Sequence, residues 1–220
     1  MPAATPFLIL LGGELSPGPR LAAQIEGARV IAADGGMRHA ATLGLVPELW
    51  VGDFDSSDTA LKARFSGVER VEHPVAKDMT DGELAIEAAL ERGADRLVFA
   101  GALGGERSDH ALQNLLLGVA AARRHAVPVL MTSGHEEAWP VLPGGQTLDL
   151  PEGSLFSVLA LSDLEELTLE GVQWPLTRHF VPMGHSLTLS NRVGPRGGGI
   201  GVTLGAGTGV LLARPFDLAG

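Results

Sequence analysis

A chain of 220 residues with 45% hydrophobic and 19% charged residues, and mean hydropathy +0.20, can bury one large core or two small ones and is not disordered. Its formal charge of −10 argues against a nucleic-acid groove or an anionic membrane surface as the main partner, since both need a basic face. The absence of cysteine excludes disulfides, thiolate metal ligands and cysteine nucleophiles together.

In chain order, the first apolar run is 7–11 (FLILL), which lacks a basic flank and stops at Gly12-Gly13. It is too short for a signal or a membrane span, so it reads as a first buried strand of a soluble, cytoplasmic protein. Further strand-like runs fall at 29–33, 48–51, 68–72, 96–100 and 128–132. Helix-like stretches lie between them, at 19–25, 37–43, 59–65, 80–92 and 109–125. Thr80 and Glu83 form a capping box before an Ala- and Leu-rich run, and Gly93 follows its end. Leu112, Leu115, Leu116, Val119 and Ala120 recur at helical spacing. Alternating strands and helices with near-continuous apolar strands predict an α/β domain, a parallel sheet flanked by helices on both faces.

After Gly134 the helical pattern disappears. Short alternating runs at 147–150, 155–161, 166–169, 186–190, 199–204 and 209–213, broken by Gly, Pro, Asn and Asp, predict a smaller antiparallel β-sandwich. The boundary is expected within 134–146, dividing the chain into domains 1–134 and 135–220, and the negative charge is shared equally between them.

An open parallel sheet binds ligands outside the carboxyl ends of its strands. The second strand runs into Asp34-Gly35-Gly36, and the third into Gly52-Asp53-Phe54-Asp55-Ser56. The fourth leads to Lys77-Asp78-Met79-Thr80-Asp81, and the fifth to Gly104-Gly105-Glu106-Arg107-Ser108-Asp109-His110. Asp34, Asp53, Asp55, Asp78, Asp81 and Asp109 therefore converge on one edge and would repel one another unless a cation joined them. Oxygen-only ligands favour Mg²⁺ or Mn²⁺ over zinc, and Mg²⁺ rides on a few carboxylates plus substrate phosphates, which implies phosphate chemistry. The glycines at 35, 36, 104 and 105 let backbone N–H groups approach phosphate oxygens. Taken singly, a D-x-D is also an ordinary solvated turn, Asp78 and Asp81 also suit a helix N-terminus, and Trp174 also suits a sandwich core.

No P-loop and no nucleophile elbow occur, and the glycine-rich stretch 197–209 lies in the β-rich half without a following helix. The histidines lack metal-ligand spacing, and His39, His73, His125, His135 and His179 read as surface or incidental positions.

In combination these residues resemble the thiamine pyrophosphokinase family. The matching pieces are Ala33-Asp34-Gly35-Gly36, Gly52-Asp53-Phe54-Asp55-Ser56 and Lys77-Asp78-x-Thr80-Asp81-x-Glu83. They continue with Arg107-x-Asp109-His110 and Asn114, then Gly171-x-x-Trp174-Pro175-Leu176 and Ser190-Asn191. The resemblance covers roughly 7–213 and departs at one point, where Glu106 is inserted before Arg107.

The resemblance implies Mg²⁺-dependent transfer of a pyrophosphoryl group from ATP to thiamine, giving thiamine diphosphate and AMP, by a homodimer. By position, Asp53, Asp55 and Asp78 would hold the metal and the triphosphate, with Asp81 supporting them as a catalytic residue. Asp34, Gly35, Gly36, Lys77, Arg107, Asp109 and His110 would bind ATP, and Trp174, Ser190 and Asn191 would bind thiamine. The α/β domain would then be the catalytic one, and the sandwich the thiamine-binding and dimerisation domain. The edge aspartates suit equally a related pyrophosphokinase acting on a pterin alcohol, and a non-catalytic nucleotide- or thiamine-binding module is a further alternative.

Overall fold

The computed structural model describes residues 5–54, 59–72, 79–195 and 199–217. The chain divides into two compact units, Met1–Gly134 and His135–Gly220.

In the first unit, β1 (Pro6–Leu10), β2 (Arg29–Ala33), β3 (Leu49–Gly52), β4 (Glu69–Glu72), β5 (Arg96–Ala100) and β6 (Val129–Thr132) lie in the order β6-β5-β1-β2-β3-β4. All pairings among them are parallel. The pleat sends alternate side chains to opposite faces. Leu8, Leu10, Val30, Ala32, Trp50, Val98 and Ala100 share a cluster with Met37 and Ala40 of α2 (Met37–Leu43). Ile25, which follows α1 (Pro19–Gln24), and Leu61 of α3 (Thr59–Arg64) pack against the same cluster. Phe7, Ile9, Ile31 and Val51 are buried towards the other face, where α4 (Asp81–Glu91) contacts β1, β2 and β3. There α5 (Ser108–His125) contacts β6 and α4. Burial on both faces is why β1, β2, β3 and β5 read as apolar runs without alternation.

The start of α4 is set by its capping box. The Glu83 N–H donates to Thr80 Oγ1 at 3.2 Å, and the Thr80 N–H donates to Glu83 Oε2 at 2.7 Å. Such a cap contributes about 1 kcal/mol and fixes where the preceding loop delivers Asp81.

In the second unit, β7 (Glu137–Val141), β9 (Leu155–Ala160), β12 (Asn191–Arg192) and β14 (Gly209–Arg214) run in the order β12-β9-β14-β7. The other layer is β11-β10-β13-β8, formed by β8 (Gly144–Leu148), β10 (Leu164–Glu170), β11 (Leu176–Val181) and β13 (Ile200–Leu204). Pairings within both layers are antiparallel. Val141, Phe156, Val158 and Leu211 from the first layer meet Leu148, Leu167, Leu169, Ile200 and Val202 from the second in one core, which is a sandwich. Among the described residues no helix is long and apolar enough to cross a membrane.

Three details differ from the sequence expectation. Residues 186–190 are a turn, closed by the Leu189 N–H on Ser186 O at 3.1 Å, and the strand follows at β12. Exposed Leu187 and Leu189 around buried Thr188 imitate a strand's alternation. The segment 134–146 holds β7 and the start of β8; Pro140, which has no N–H to give a ladder, masks β7 in the sequence. The third is β11, whose middle residues are all exposed and whose register with β10 shifts, so no period marks it.

Candidate active site

The carboxyl ends of β1, β2 and β5 are drawn together by backbone packing that leaves no room for side chains. A Cβ on Gly36 would lie 2.1 Å from the Leu10 carbonyl oxygen, so glycine alone lets the Asp34–Gly36 turn rest on the end of β1. Gly101, at φ +74, does the same for β5, where a Cβ would lie 2.5 Å from Leu11 O. The Gly13 N–H donates to Gly101 O at 2.9 Å and ties the two loops. Asp34 adopts φ +39, an unusual conformation for a residue with a Cβ, and buried Trp50 of β3 donates its Nε1–H to the Asp34 carbonyl at 2.9 Å. Trp50 in turn meets Phe54 edge-to-face at 5.0 Å between ring centroids.

Above these loops lies a cavity of about 650 Å³. Its wall comes from Leu11–Glu14 after β1, Ala33–Gly35 and Arg38 after β2, and Thr80–Gly82 at the start of α4. The loop after β5 and the first turns of α5 complete it, with Gly104, Gly105, Glu106, Arg107, His110, Gln113 and Asn114. Of the residues expected from sequence, Asp34, Gly35, Asp81, Arg107 and His110 line this cavity. Gly36 lies beneath it, buried against β1. Asp53 does not line it, although the end of β3 touches it indirectly: a Cβ on Gly52 would lie 3.1 Å from Asp34 Cα. Asp109 stands outside the lining and faces Arg107. Asp55, Lys77 and Asp78 lie outside the described residues, as do Ser56 and His73. Among the described residues no cluster of three or more Asp, Glu or His is arranged to hold a metal, and of the expected metal residues only Asp53 is described.

The site also contains residues that sequence reasoning passed over, namely Gly12, Gly13, Glu14, Arg38 and Gln113. The signal for the first three was available, because β1 has a carboxyl end on the same edge and its run stops in Gly12-Gly13. His39 is a correction. Expected at the surface, it is only 6% exposed, and its Nε2–H donates to Gly13 O at 2.9 Å. Burial pushes its pKa below the ordinary histidine value; the Gly13 bond opposes this and the adjacent Arg38 charge reinforces it.

Arg107 forks onto Asp109, with Nε–Oδ1 at 2.9 Å and Nη2–Oδ2 at 2.6 Å. That bond holds the Asp109 carboxyl well below the usual carboxylate range and raises the guanidinium. Despite the inserted Glu106, Arg107 still lines the cavity. Asn114 Nδ2 donates to Ala102 O at 3.3 Å and braces the loop after β5.

In the second unit, Trp174 is 55% exposed while Asn191 is 5% exposed. Asn191 Oδ1 accepts from the Trp174 N–H at 3.2 Å, and its Nδ2 donates to Trp174 O at 2.9 Å. The Asn191 amide therefore holds the backbone that presents the indole. Ser190 sits at φ +58 with its N–H on Ser157 Oγ at 3.0 Å.

An open parallel sheet with a glycine- and carboxylate-walled cavity at its carboxyl edge defines the class: an α/β enzyme fold with its ligand site at the strand ends. Comparison with known proteins narrows this. Residues 24–131 match the family described as thiamin pyrophosphokinase, catalytic domain, and residues 146–208 match thiamin pyrophosphokinase, vitamin B1 binding domain. The thiamine pyrophosphokinase of Bacillus subtilis (strain 168) is 30% identical over 155 residues, which is 68% of this chain and 71% of that protein. The crystal structure of thiamine pyrophosphokinase from Bacillus subtilis superposes with a TM-score of 0.82 at 26% identity, covering 97% of this chain and 100% of that one. That of the Geobacillus thermodenitrificans protein gives 0.81 at 26% identity, covering 96% and 97%. The chain belongs to the thiamine pyrophosphokinase family.

Proposed function

We propose that the protein transfers a pyrophosphoryl group from ATP to the hydroxyethyl arm of thiamine, releasing AMP. The alcohol oxygen forms a bond to the β-phosphorus, the bond from that phosphorus to the α-phosphate oxygen breaks, and the alcohol proton leaves to a carboxylate or to solvent. Little covalent help is needed, and alignment with charge neutralisation does most of the work. The observation that carries the reading is the cavity where Asp34, Asp81 and Arg107 share a wall with Gly35, Gly104 and Gly105, in a chain of this family.

On this reading Asp34, Gly35, Gly36, Lys77, Arg107, Asp109 and His110 bind ATP, and Asp81 stands beside the reacting groups. The donors on this edge are carboxylate oxygens, which suits a hard cation. Asp53, Asp55 and Asp78 would hold Mg²⁺, which neutralises triphosphate charge when bound. Trp174 offers its exposed indole face to the cationic thiazolium, and Asn191 fixes that face in place. Ser190 stands next to it in sequence. A cytoplasmic homodimer completes the proposal. It is supported by the apolar side chains that the second unit leaves in solvent, Phe180, Met183, Leu187 and Leu189, and sedimentation of the purified protein tests it.

Incubation of purified protein with ATP, Mg²⁺ and thiamine is the direct test, with thiamine diphosphate and AMP as the expected products. Formation of ADP in place of AMP, or AMP release only with a pterin alcohol, overturns the reading.

A further inference from the structure

Two arginines line the cavity among the described residues, and they are held differently. Arg107 is forked onto Asp109, so an anion reaching it competes with a carboxylate already in place. Arg38 is tied to backbone. One of its terminal nitrogens, Nη2, donates to the carbonyls of Gly12 and Gly13, the latter at 3.0 Å. Among the described residues no carboxylate pairs with it, and its other three N–H donors make no hydrogen bond. Neutral carbonyls fix the head group without cancelling its charge.

The next residue reinforces this arrangement. His39 is buried behind Arg38, and its Nε2–H donates to the same Gly13 carbonyl at 2.9 Å. Its ring also packs on Gly101, where an added Cβ would lie 3.2 Å from Nε2. The carbonyls that hold Arg38 thus belong to a loop fixed from behind and tied to the β5 loop by the Gly13–Gly101 bond. The guanidinium is pre-placed on the cavity wall, which lowers the ordering cost of binding an anion.

We propose that Arg38 is a polyphosphate-binding residue of this site, presenting its uncommitted guanidinium edge to the triphosphate of the nucleotide, with His39 as the residue that positions its support. The inference deepens the pyrophosphokinase reading and rests on ATP being the phosphate donor. Charge-assisted contact from an unneutralised, pre-oriented arginine is the strongest hydrogen bonding that a phosphate chain can find on this wall.

The test measures binding of inorganic tripolyphosphate by calorimetry at several ionic strengths, for the wild type, Arg38→Gln and Arg38→Lys. Arg38→Gln is expected to weaken tripolyphosphate about tenfold or more and to flatten the salt dependence, while Arg38→Lys stays within about threefold of wild type. The inference is overturned if Arg38→Gln binds tripolyphosphate like the wild type. It is also overturned if Arg38→Lys is as weak as Arg38→Gln with wild-type salt dependence, because the arginine then only braces the loop. Product analysis keeps the two readings apart. A wild type that makes AMP and thiamine diphosphate while Arg38→Gln keeps full affinity sinks this inference alone. A wild type with Arg38-dependent tripolyphosphate binding but no AMP upholds it and sinks the pyrophosphokinase reading.

Discussion

Helices cover both faces of the first unit's sheet, so its polar chemistry has only the strand ends to occupy, and there glycines let one backbone lie on another. The second unit buries one core between its two layers and leaves large apolar side chains in solvent, with Trp174 55% exposed and Met183 67%. The first unit thus offers charge and backbone donors at a narrow edge, and the second offers apolar area. A triphosphate fits the first kind of surface, and an aromatic cation or another protein fits the second.

The largest expected effect breaks or sharpens this contrast at its polar end. Asp53→Asn keeps the shape of the side chain and removes its charge, so turnover should fall about a thousandfold or more with an unchanged melting curve. Wild-type rates in a steady-state assay would take Asp53 out of the site. In the sandwich, Leu167→Ala opens a hole in a core where Leu167 is fully buried, and should cost about 3 kcal/mol in urea unfolding. Tripolyphosphate affinity of the protein that remains folded should stay near that of the wild type, and a parallel loss of affinity would contradict the division between the units.

The smallest effect concerns His39. Its pKa is lowered in the fold, so on acidification the unfolded chain takes up the proton first. The stability this group contributes is present above its ordinary value of 6.5 and is lost as pH falls through the lowered one. Urea titrations from about pH 7.5 down to about pH 5.5 should show wild-type stability falling more than that of His39→Gln, a variant that keeps a donor for Gly13. Parallel curves would mean that the imidazole is not desolvated.

Elements whose signals are local were legible in the sequence. Thr80 and Glu83 announce α4 because each bonds the other across a single turn. The buried strands β1, β2 and β5 were legible because burial on both faces leaves an uninterrupted apolar run. The strands β11 and β12 were not, since β11 has only Val181 buried and β12 consists of Asn191 and Arg192. The strand-end rule found Asp34, Asp81, Arg107 and His110 in the cavity wall because topology alone carries them there. Arg38 and His39 escaped it because their meaning lies in the Gly13 carbonyl, 25 and 26 residues upstream, and no local pattern encodes that contact. The bonds by which the Asn191 amide holds the Trp174 backbone, 17 residues away, are equally invisible to a local pattern.

The bond from Trp50 to the Asp34 carbonyl also gives the protein a built-in optical reporter. The chain has three tryptophans and no tyrosine, so its near-ultraviolet emission is almost entirely indole. Trp50 is fully buried with its N–H on the backbone of a cavity-wall residue, while Trp174 stands more than half in solvent in the other unit. A ligand that shifts Asp34 alters the blue side of the spectrum, and one that covers Trp174 alters the red side. Titrating nucleotide and thiamine separately would then read the two surfaces by colour in the unlabelled protein.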